Sequence, residues 1–336
     1  MTEIETNIDS EWDSFLENID NPIEKKEDAI DLIENYEVPK GSELYISTKT
    51  KIAYLSHPID LFDVFWKLNV ISYHIPIEGI VKKQMKFNFA DEESLLEIQE
   101  KLKGINNVEE HIITKILNPE GRIKFKDIRK ISIGLCNRDI ISYRSKKKSA
   151  FYNCFVIILR VYSVDKFKEI HVKVFNTGKL EIPGIRCEKI LKRVLDLVVE
   201  ILKPFVNITN FNYDYSKCET VLINSNFNCG FYINREKLFD ILKYKYQINC
   251  VFDACSYPGI QCKYNHQGNY KISFMIFRTG SVLIVGKCSD DVLNIIYNYI
   301  KNLLILEYPN IYVKNNDNSK DILIKKQTKK KFITFD

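Results

Sequence analysis

Apolar and polar positions alternate over short stretches of this chain and then change to a helical spacing. Residues 168–175 (KEIHVKVF) and 270–277 (YKISFMIF) are predicted to be strands, because apolar and polar positions alternate over 169–174 and 270–274, and each leads through a Thr-Gly pair into a second stretch rich in apolar residues. Apolar residues then recur three and four positions apart over 188–202 and 289–304, which predicts an amphipathic helix in each place. The pattern therefore predicts a hairpin followed by a helix, twice.

The two copies also share residues at a fixed spacing. Segments 172–185 and 274–287 lie 102 positions apart and coincide at five residues. These are Phe175, Thr177, Gly178, Ile182 and Gly184 in the first copy, and Phe277, Thr279, Gly280, Ile284 and Gly286 in the second. Upstream, residues 61–64 (LFDV) match residues 238–241 (LFDI) at the larger offset of 177, so the first copy carries extra sequence in its middle. A duplicated unit shares one type of core and presents a pseudosymmetric surface.

Turn residues and charge divide the rest of the chain. We predict an acidic arm (1–42), a first repeat (43–205) with an insertion at about 84–149, a linker (206–219), a second repeat (220–306) and a basic tail (307–336). The further predicted strands are 43–54, 70–77, 151–162, 220–229, 248–254, 260–265 and 281–286. The further predicted helices are 58–68, 91–102 and 235–245. Antiparallel strands with helices segregated to one face make an α+β fold.

The net charge of +5 conceals a separation along the chain. Residues 1–40 hold 13 acidic and 3 basic side chains, so the remaining sequence carries a net charge of +15. An acidic arm on a basic body is common among nucleic-acid-binding proteins, because the arm can compete for the basic surface. A solvated tail that keeps the protein in solution would explain the same pattern.

Composition excludes several classes of protein. With 45% hydrophobic and 28% charged residues the chain is globular, and no apolar run approaches the roughly 20 residues that span a bilayer. Its first residues are acidic where a secretory signal would be basic and then apolar, so we expect an intracellular protein without membrane contact. Nine cysteines without a C-x-x-C pair indicate reduced thiols. A zinc site at Cys250, Cys255 and Cys262 is conceivable, but core thiols are the preferred interpretation.

Sequence signatures of catalysis are missing. The chain has no P-loop, G-x-G-x-x-G, H-E-x-x-H or G-x-S-x-G motif, and its carboxylates are scattered. His171 lies in an apolar strand, which favours a structural histidine. We therefore expect no enzymatic activity, no metal and no cofactor.

Binding is better supported than catalysis. Phe175 and Phe277 occupy equivalent positions just before the repeated Thr-Gly turn. A phenylalanine at such a strand end can fill a core. Its repetition at pseudosymmetric positions favours the other use, an apolar wedge that unstacks base steps in a bent duplex.

The second copy resembles the TATA-box-binding protein (TBP) family. Residues 220–239 (TVLINSNFNCGFYINREKLF) resemble the family's opening strand and helix, residues 256–264 (SYPGIQCKY) resemble F-P-G-L-I-Y-R, and residues 275–287 (MIFRTGSVLIVGK) resemble I-F-x-S-G-K-x-V-x-T-G-A-K. The first copy matches more loosely, at residues 154–162 (CFVIILRVY) and 174–184 (VFNTGKLEIPG). A divergent copy with an insertion is most similar to the TBP-like proteins of large DNA viruses.

The resemblance implies a curved antiparallel saddle sheet with helices on the convex face. The family's concave face binds the minor groove, where phenylalanine wedges and asparagines contact the bases. The matching positions are Phe277, Phe175 and Tyr257 as wedges, with Phe155 or Ile77 as the fourth; Asn224 and its partner Thr50 as base contacts; Leu283 and Val285 on the groove floor; and Lys179, Arg160 and Lys263 as phosphate contacts.

The expected function is therefore that of a transcription initiation factor. It would bind and bend double-stranded, AT-rich promoter DNA and recruit RNA polymerase and general transcription factors, in the nucleus, in a cytoplasmic viral factory of an infected cell, or packaged in the virion. Glu181 and Pro183 depart from the family pattern, because phosphates repel a carboxylate that faces a minor groove. A protein-interaction scaffold that has lost specific DNA binding is therefore the alternative, and a nuclease or glycosylase is a more distant one.

Overall fold

A computed structural model describes residues 38–314, except 142–151, 164, 207, 267 and 269. Predictions for the arm before residue 38 and for the tail beyond residue 314 lie outside these residues. The strands are β1 (Tyr45–Tyr54), β2 (Gly79–Phe89), β3 (Val108–Leu117), β4 (Phe125–Gly134), β5 (Cys154–Ser163), β6 (Lys166–Phe175), β7 (Lys179–Ile185), β8 (Glu219–Asn228), β9 (Tyr232–Ile233), β10 (Asn249–Val251), β11 (Gly259–His266), β12 (Tyr270–Phe277), β13 (Ser281–Gly286) and β14 (Tyr312–Val313). The helices are α1 (Leu61–Lys67), α2 (Glu92–Leu102), α3 (Asn137–Ile141), α4 (Glu188–Leu202), α5 (Arg235–Asp240), α6 (Asp290–Leu306) and α7 (Tyr308–Ile311).

The chain folds as two compact units, and the division falls inside β1. The first-repeat unit contains residues 49–219. The second-repeat unit contains residues 38–48 and 220–314 of the described chain. Each unit has its own large hydrophobic core.

The second-repeat unit is an antiparallel sheet with one long helix on its inner face. Its strands lie in the order β10–β11–β12–β13–β8. Leu293 and Ile300 of α6 share a core with Phe274 of β12. The helix begins where the Ser289 hydroxyl accepts a hydrogen bond from the backbone N–H of Val292 at 3.3 Å, which satisfies one of the free donors of the first turn.

The first-repeat unit repeats this plan and adds strands. Residues 49–54 of β1 lie beside β7, and the order continues β6–β5–β2–β4–β3. Helix α4 packs on the inner face. The insertion supplies α2, β3, β4 and α3, and Leu95, Ile98 and Leu102 of α2 join the same core. The insertion therefore extends one sheet and its core and does not form a separate domain.

Hydrogen bonds fix how the two copies correspond. The N–H of Leu55 donates to Gly178 O at 2.8 Å, and the N–H of Cys229 donates to Gly280 O at 2.9 Å. Both glycines have positive φ, +81° and +77°. A Cβ added to Gly178 would lie 2.5 Å from His57 O, and one added to Gly280 would lie 2.3 Å from Phe231 O. Only glycine suits this turn, which explains why the sequence repeats it.

These hydrogen bonds correct the offset of the opening strand and helix. Leu55 and Cys229 differ by 174 positions, as do the helix N-caps Asp60 and Asn234. The offset of 177 that the sequence indicated is therefore wrong by three residues. The matching LFD letters lie about one helical turn apart in the two copies.

The α+β prediction is confirmed in both units: the strands are antiparallel and a long helix packs on one face of each sheet. The predicted bounds of α4, β12 and β13 are also confirmed. Helix α2 begins one residue later than predicted, because the Asp91 carboxylate caps it by accepting from the N–H of Ser94.

Three predictions about irregular segments are wrong. No strand forms at 70–77; β2 begins at Gly79. Part of the predicted polar linker belongs to a core, since Phe211 is 3% exposed. The predicted tail begins too early, because Ile311 is fully buried and β14 pairs with β9.

Candidate nucleic-acid interface

The second-repeat unit has an outer sheet face opposite α6. Alternate residues of each strand point away from the core, so the outer face can be identified from burial. Its residues are Asn224, Asn226 and Asn228 on β8, Ser281, Leu283 and Val285 on β13, Ser273, Met275 and Phe277 on β12, and Gln261 and Lys263 on β11. None of these positions holds a carboxylate, so this face suits the floor and phosphates of a DNA groove.

The two predicted wedges of this unit lie together. Phe277, half-buried at the end of β12, has its ring centroid 6.0 Å from that of Tyr257, with the ring planes at 57°. The Tyr257 hydroxyl donates to the Met275 sulfur at 3.2 Å, and burial raises the pKa of Tyr257. Because the hydroxyl has this partner inside the protein, Tyr257 can present its ring edge as an apolar surface.

The predicted base contact of this unit, Asn224, and its predicted groove-floor residues, Leu283 and Val285, lie on neighbouring strands. Asn224 stands opposite Val285, and Leu283 stands opposite Asn226. The Asn224 amide donates to the Thr48 hydroxyl at 3.3 Å. At this distance the hydrogen bond is weak. It orients the amide but does not satisfy all of the donors and acceptors of the amide.

Lys263 lies on the outer face of β11, opposite Ser273 of β12. Burial, followed by the charge of Lys271, lowers the pKa of Lys263. Both effects disfavour the ammonium form, and an approaching phosphate would counteract them.

The first-repeat unit keeps the wedge position at Phe175. Phe175 is half-buried at the end of β6, and Lys179 Nζ lies 5.5 Å from the centre of its ring. Lys179 therefore holds a positive charge beside the predicted wedge.

Strand register also supports the pairing of Thr50 with Asn224. Ile52 stands opposite Glu181 as Asn226 stands opposite Leu283. Thr50, two residues before Ile52, is therefore at the position of Asn224, beside a register shift in the β1–β7 ladder.

Glu181, the residue that argued against DNA binding, is paired with a lysine. Lys173 stands opposite Glu181 in the β6–β7 ladder, and its Nζ lies 2.7 Å from the carboxylate. Both side chains are about a quarter exposed, at 28% for Lys173 and 26% for Glu181. The pair adds no net charge to this outer face, which reduces the repulsion expected from Glu181 alone.

Phe155 is not a wedge. Its side chain is fully buried, and its ring packs 6.3 Å from that of Phe65 in the first-repeat core. Ile77, the other candidate, is 48% exposed but precedes β2 and does not lie at a hairpin position.

Register identifies a different residue for this wedge. Cys154 stands opposite Phe175 as Gly259 stands opposite Phe277, so Tyr152 corresponds to Tyr257. Tyr152 is 58% exposed, and Lys86 Nζ lies 3.6 Å from the centre of its ring. The sequence alone did not indicate Tyr152, because the offset of 102 between the phenylalanines places Tyr257 on Phe155, and the strand before the hairpin is shifted by three further residues.

Arg160 is not a phosphate contact. It is 6% exposed, and its guanidinium donates to Tyr73 O and Ile75 O, both at 2.8 Å. The strand register also makes Ile158, and not Arg160, the first-repeat equivalent of Lys263. Ile158 stands opposite His171, Lys263 stands opposite Ser273, and His171 and Ser273 are equivalent positions of the two copies. Arg160 therefore anchors the segment before β2 to the sheet.

Part of the first-repeat outer face is covered. Ile158 and Val81 pack against Cys136, with Ile71 and Tyr73 beside them. Lys82 Nζ holds the covering segment through Asp139 at 2.9 Å. The covered positions lie far along β5 from Phe175, so the cover leaves the wedge end accessible.

The described residues contain no cluster of three or more His, Cys, Asp or Glu side chains that could hold a metal. Cys250 and Cys262 face each other in the β10–β11 ladder and are buried, whereas Cys255 is exposed. Within the part of the chain that the structure describes, no helix is long and apolar enough to cross a membrane.

The chain is similar in sequence to one known protein over about half its length. No family model matches the chain. Over 204 residues, 53% of this chain, it is 29% identical to a TATA-box-binding protein-like protein of Acanthamoeba polyphaga mimivirus. Over this half of its length the chain is similar to a TBP-like protein of a large DNA virus. The match spans 55% of that relative's length.

The fold also gives a match to the TBP of Methanococcus jannaschii. This match covers 79% of the chain and 99% of that protein, with 12% identity and a TM-score of 0.41. A score this low carries no argument about function. Independently of this match, the two copies within the chain share the hairpin, the helix and equivalent turn hydrogen bonds.

Proposed function

We propose that this TBP-like chain is a transcription initiation factor that binds the minor groove of promoter DNA through the outer sheet faces of both units and bends it. The observation that carries the proposal is the second-repeat outer face. It combines a paired aromatic wedge, Phe277 with Tyr257, a half-exposed Asn224, the apolar Leu283 and Val285, and no carboxylate.

The physical argument is an energy balance. Smooth bending of a short duplex by 40–90° costs of the order of 1–6 kcal/mol, which interactions made only in the bent state must offset. Aromatic side chains inserted at a base step and lysines at phosphates supply such interactions. The chain offers a half-buried phenylalanine at each hairpin and Lys179 and Lys263 nearby.

Recruitment belongs to the same proposal. Helices α4 and α6 cover the inner faces, and their outward-facing residues would contact RNA polymerase and general transcription factors. We place this activity inside the cell, in the nucleus or in a cytoplasmic viral factory of an infected cell, or packaged in the virion.

The test measures binding of the protein to AT-rich and GC-rich duplexes over a series of salt concentrations. Energy transfer between labels at the two ends of each duplex reports bending. We expect tight, salt-sensitive binding that draws the ends of the AT-rich duplex together. Phe277→Ala should reduce the bend and weaken binding about 5- to 150-fold, since removal of one aromatic side chain that stacks on bases costs about 1–3 kcal/mol.

The control is Tyr244→Ala. Tyr244 is 71% exposed on the helical turn that follows α5, so its removal tests the loss of an exposed aromatic away from the sheet. If Phe277→Ala leaves both the bend and the affinity unchanged, the wedge mechanism is wrong. Equal, unbent binding to both duplexes, or no binding, would favour the scaffold alternative, which the covered part of the first-repeat outer face supports.

A further inference from the structure

The first-repeat unit contains a basic cleft beside the insertion. The cleft has a volume of about 710 Å³ and lies between the start of β6, the end of β7 and α3 of the insertion. Arg138 on α3, Lys168 on β6 and Arg186 after β7 line it together with His171. Three separate segments of the chain thus bring cations to one place.

The cleft exists because the β6–β7 ladder opens early. Residues 173–174 of β6 pair with residues 180–181 of β7, whereas β12 pairs with β13 over 272–276. Pro183 has no N–H to continue the ladder, and Gly184 has a φ of +84°. A Cβ added to Gly184 would meet no atom within 4 Å, so this edge of the cleft is open.

The carboxylate in the lining is already engaged. The two oxygens of Glu169 accept the backbone N–H of Asn137 at 3.0 and 2.9 Å. Glu169 also hydrogen-bonds to the Tyr73 hydroxyl, which helps to raise the pKa of that tyrosine after the larger effect of burial. Glu169 therefore holds the wall of the cleft, while Arg138, Lys168 and Arg186 make the lining positive.

We propose that this cleft binds backbone phosphates of the DNA duplex. Guanidinium groups match phosphate geometry with two parallel hydrogen bonds, which favours phosphate as the ligand of two arginines. His171 lines the cleft from the same outer face of β6 as Phe175, because the two are four residues apart on a strand, whereas Lys168, at an odd spacing from Phe175, borders the cleft from the other side of β6. A duplex lying on the outer face therefore passes the cleft at His171.

The cleft lies at a distance from the wedge. Lys168 and Phe175 are seven residues apart on β6, or about 24 Å at about 3.4 Å per residue. With a rise of about 3.4 Å per base pair, this separation corresponds to about seven base pairs of B-form DNA. The insertion would thus bind additional phosphates outside the base step at Phe175. This inference rests on the proposed DNA binding.

The experiment compares two triple variants of the full chain. The cleft variant carries Arg138→Gln, Lys168→Gln and Arg186→Gln. The control carries Lys189→Gln, Lys192→Gln and Lys203→Gln, which removes three exposed cations from the helical side of the same unit. A cooperative thermal unfolding transition first shows that each variant is folded. Each is then titrated with the end-labelled AT-rich duplex at salt concentrations from 50 to 200 mM.

The slope of log K against log salt reports how many phosphates the protein neutralises. We expect its magnitude to fall by about 0.9 for each phosphate that the variant no longer neutralises, or about 2–3 in the cleft variant. The control should keep the wild-type slope. Arg138→Lys with Arg186→Lys should also keep the slope, with weaker binding at every salt concentration, because charge is retained and bidentate geometry is not. If the triple variant does not fold, Arg138→Gln alone should lower the magnitude of the slope by about 0.9.

The outcomes separate the two levels of the argument. If the wild type neither binds nor bends DNA, the proposed function fails. If the wild type bends DNA and the cleft variant keeps its full salt slope, DNA binding stands and the phosphate cleft is wrong. A cleft variant with an unchanged slope and reduced binding of poly-glutamate would overturn the phosphate proposal and identify an acidic protein segment as the occupant.

Discussion

Phe155 and Tyr152 provide a decisive comparison, because the two aromatic residues lie three positions apart and have opposite surroundings. Phe155 is fully buried beside Phe65, and Tyr152 is 58% exposed beside Lys86. We expect Phe155→Ala to destabilise the fold without removing a side chain that touches DNA. Tyr152→Ala should leave the fold intact and weaken DNA bending.

The magnitudes follow from burial. Replacing a fully buried phenylalanine by alanine costs about 3–5 kcal/mol, which includes the cavity left in the core. At about 2–4 °C per kcal/mol for a unit of this size, the melting temperature of the Phe155→Ala variant should fall by about 6–20 °C. Tyr152→Ala removes at most a cation–π interaction of about 0.5–1 kcal/mol, so its melting temperature should change by a few degrees.

The assay combines thermal unfolding with energy transfer on an AT-rich duplex, measured well below each variant's melting temperature. Phe155→Ala should then bend DNA as the wild type does. The assignment of Tyr152 as the wedge is refuted if Tyr152→Ala bends DNA normally. Burial of Phe155 is refuted if Phe155→Ala melts with the wild type.

Three further predictions concern thiols, the insertion and pH. Ellman's reagent should react quickly with two of the nine thiols of the native protein, the exposed Cys187 and Cys255, and with all nine after unfolding; more than three fast thiols would contradict the burial. Asp127→Ala should lower the free energy of unfolding in urea by about 1–3 kcal/mol, because the buried Arg129 loses the carboxylate 2.6 Å away and keeps only that of Glu110 at 2.8 Å; an unchanged free energy would refute this. Burial lowers the pKa of Lys83 from 10.5 to about 8, so between these pH values the unfolded chain binds a proton that the folded chain does not. The free energy of unfolding of the wild type, relative to that of Lys83→Met, should therefore rise from pH 8 to pH 10.5. A difference between the two proteins that does not change with pH would contradict the shift.

The strands and helices that could be predicted from sequence are those with a clear local pattern and clear ends. β12 alternates over residues 270–274, stays apolar to Phe277 and ends at the Thr-Gly turn, and α4 repeats apolar residues three and four apart, so each has the predicted bounds. The segment 70–77 also looks like a strand, but its backbone carbonyls at Tyr73 and Ile75 bond to the Arg160 guanidinium and not to another strand. Such a tertiary partner leaves no trace in the local pattern.

The candidate site was predictable where the two copies kept the same letters. Phe175 and Phe277 precede the same Thr-Gly turn, and the structure places both at strand ends, half-buried. Phe155 was misassigned because the face of a fully apolar strand cannot be read from the sequence alone. Tyr152 was missed because it lacks the Pro-Gly that follows Tyr257, and only the strand register makes the two equivalent.

The two units have diverged unequally, and this inequality has a consequence for the proposed function. A fully symmetric protein would bind a groove equally well in either direction. Here the second-repeat outer face carries Asn224 and apolar side chains without a carboxylate, whereas the first-repeat unit carries the Lys173–Glu181 pair and the basic cleft. Under the proposed function, groove-binding side chains would be concentrated in one unit and additional phosphate-binding side chains in the other. A difference of about 1.4 kcal/mol between the two directions would favour one tenfold, and one or two charge-assisted hydrogen bonds to phosphate supply that much. The insertion would then help to set the direction in which the chain lies on a promoter.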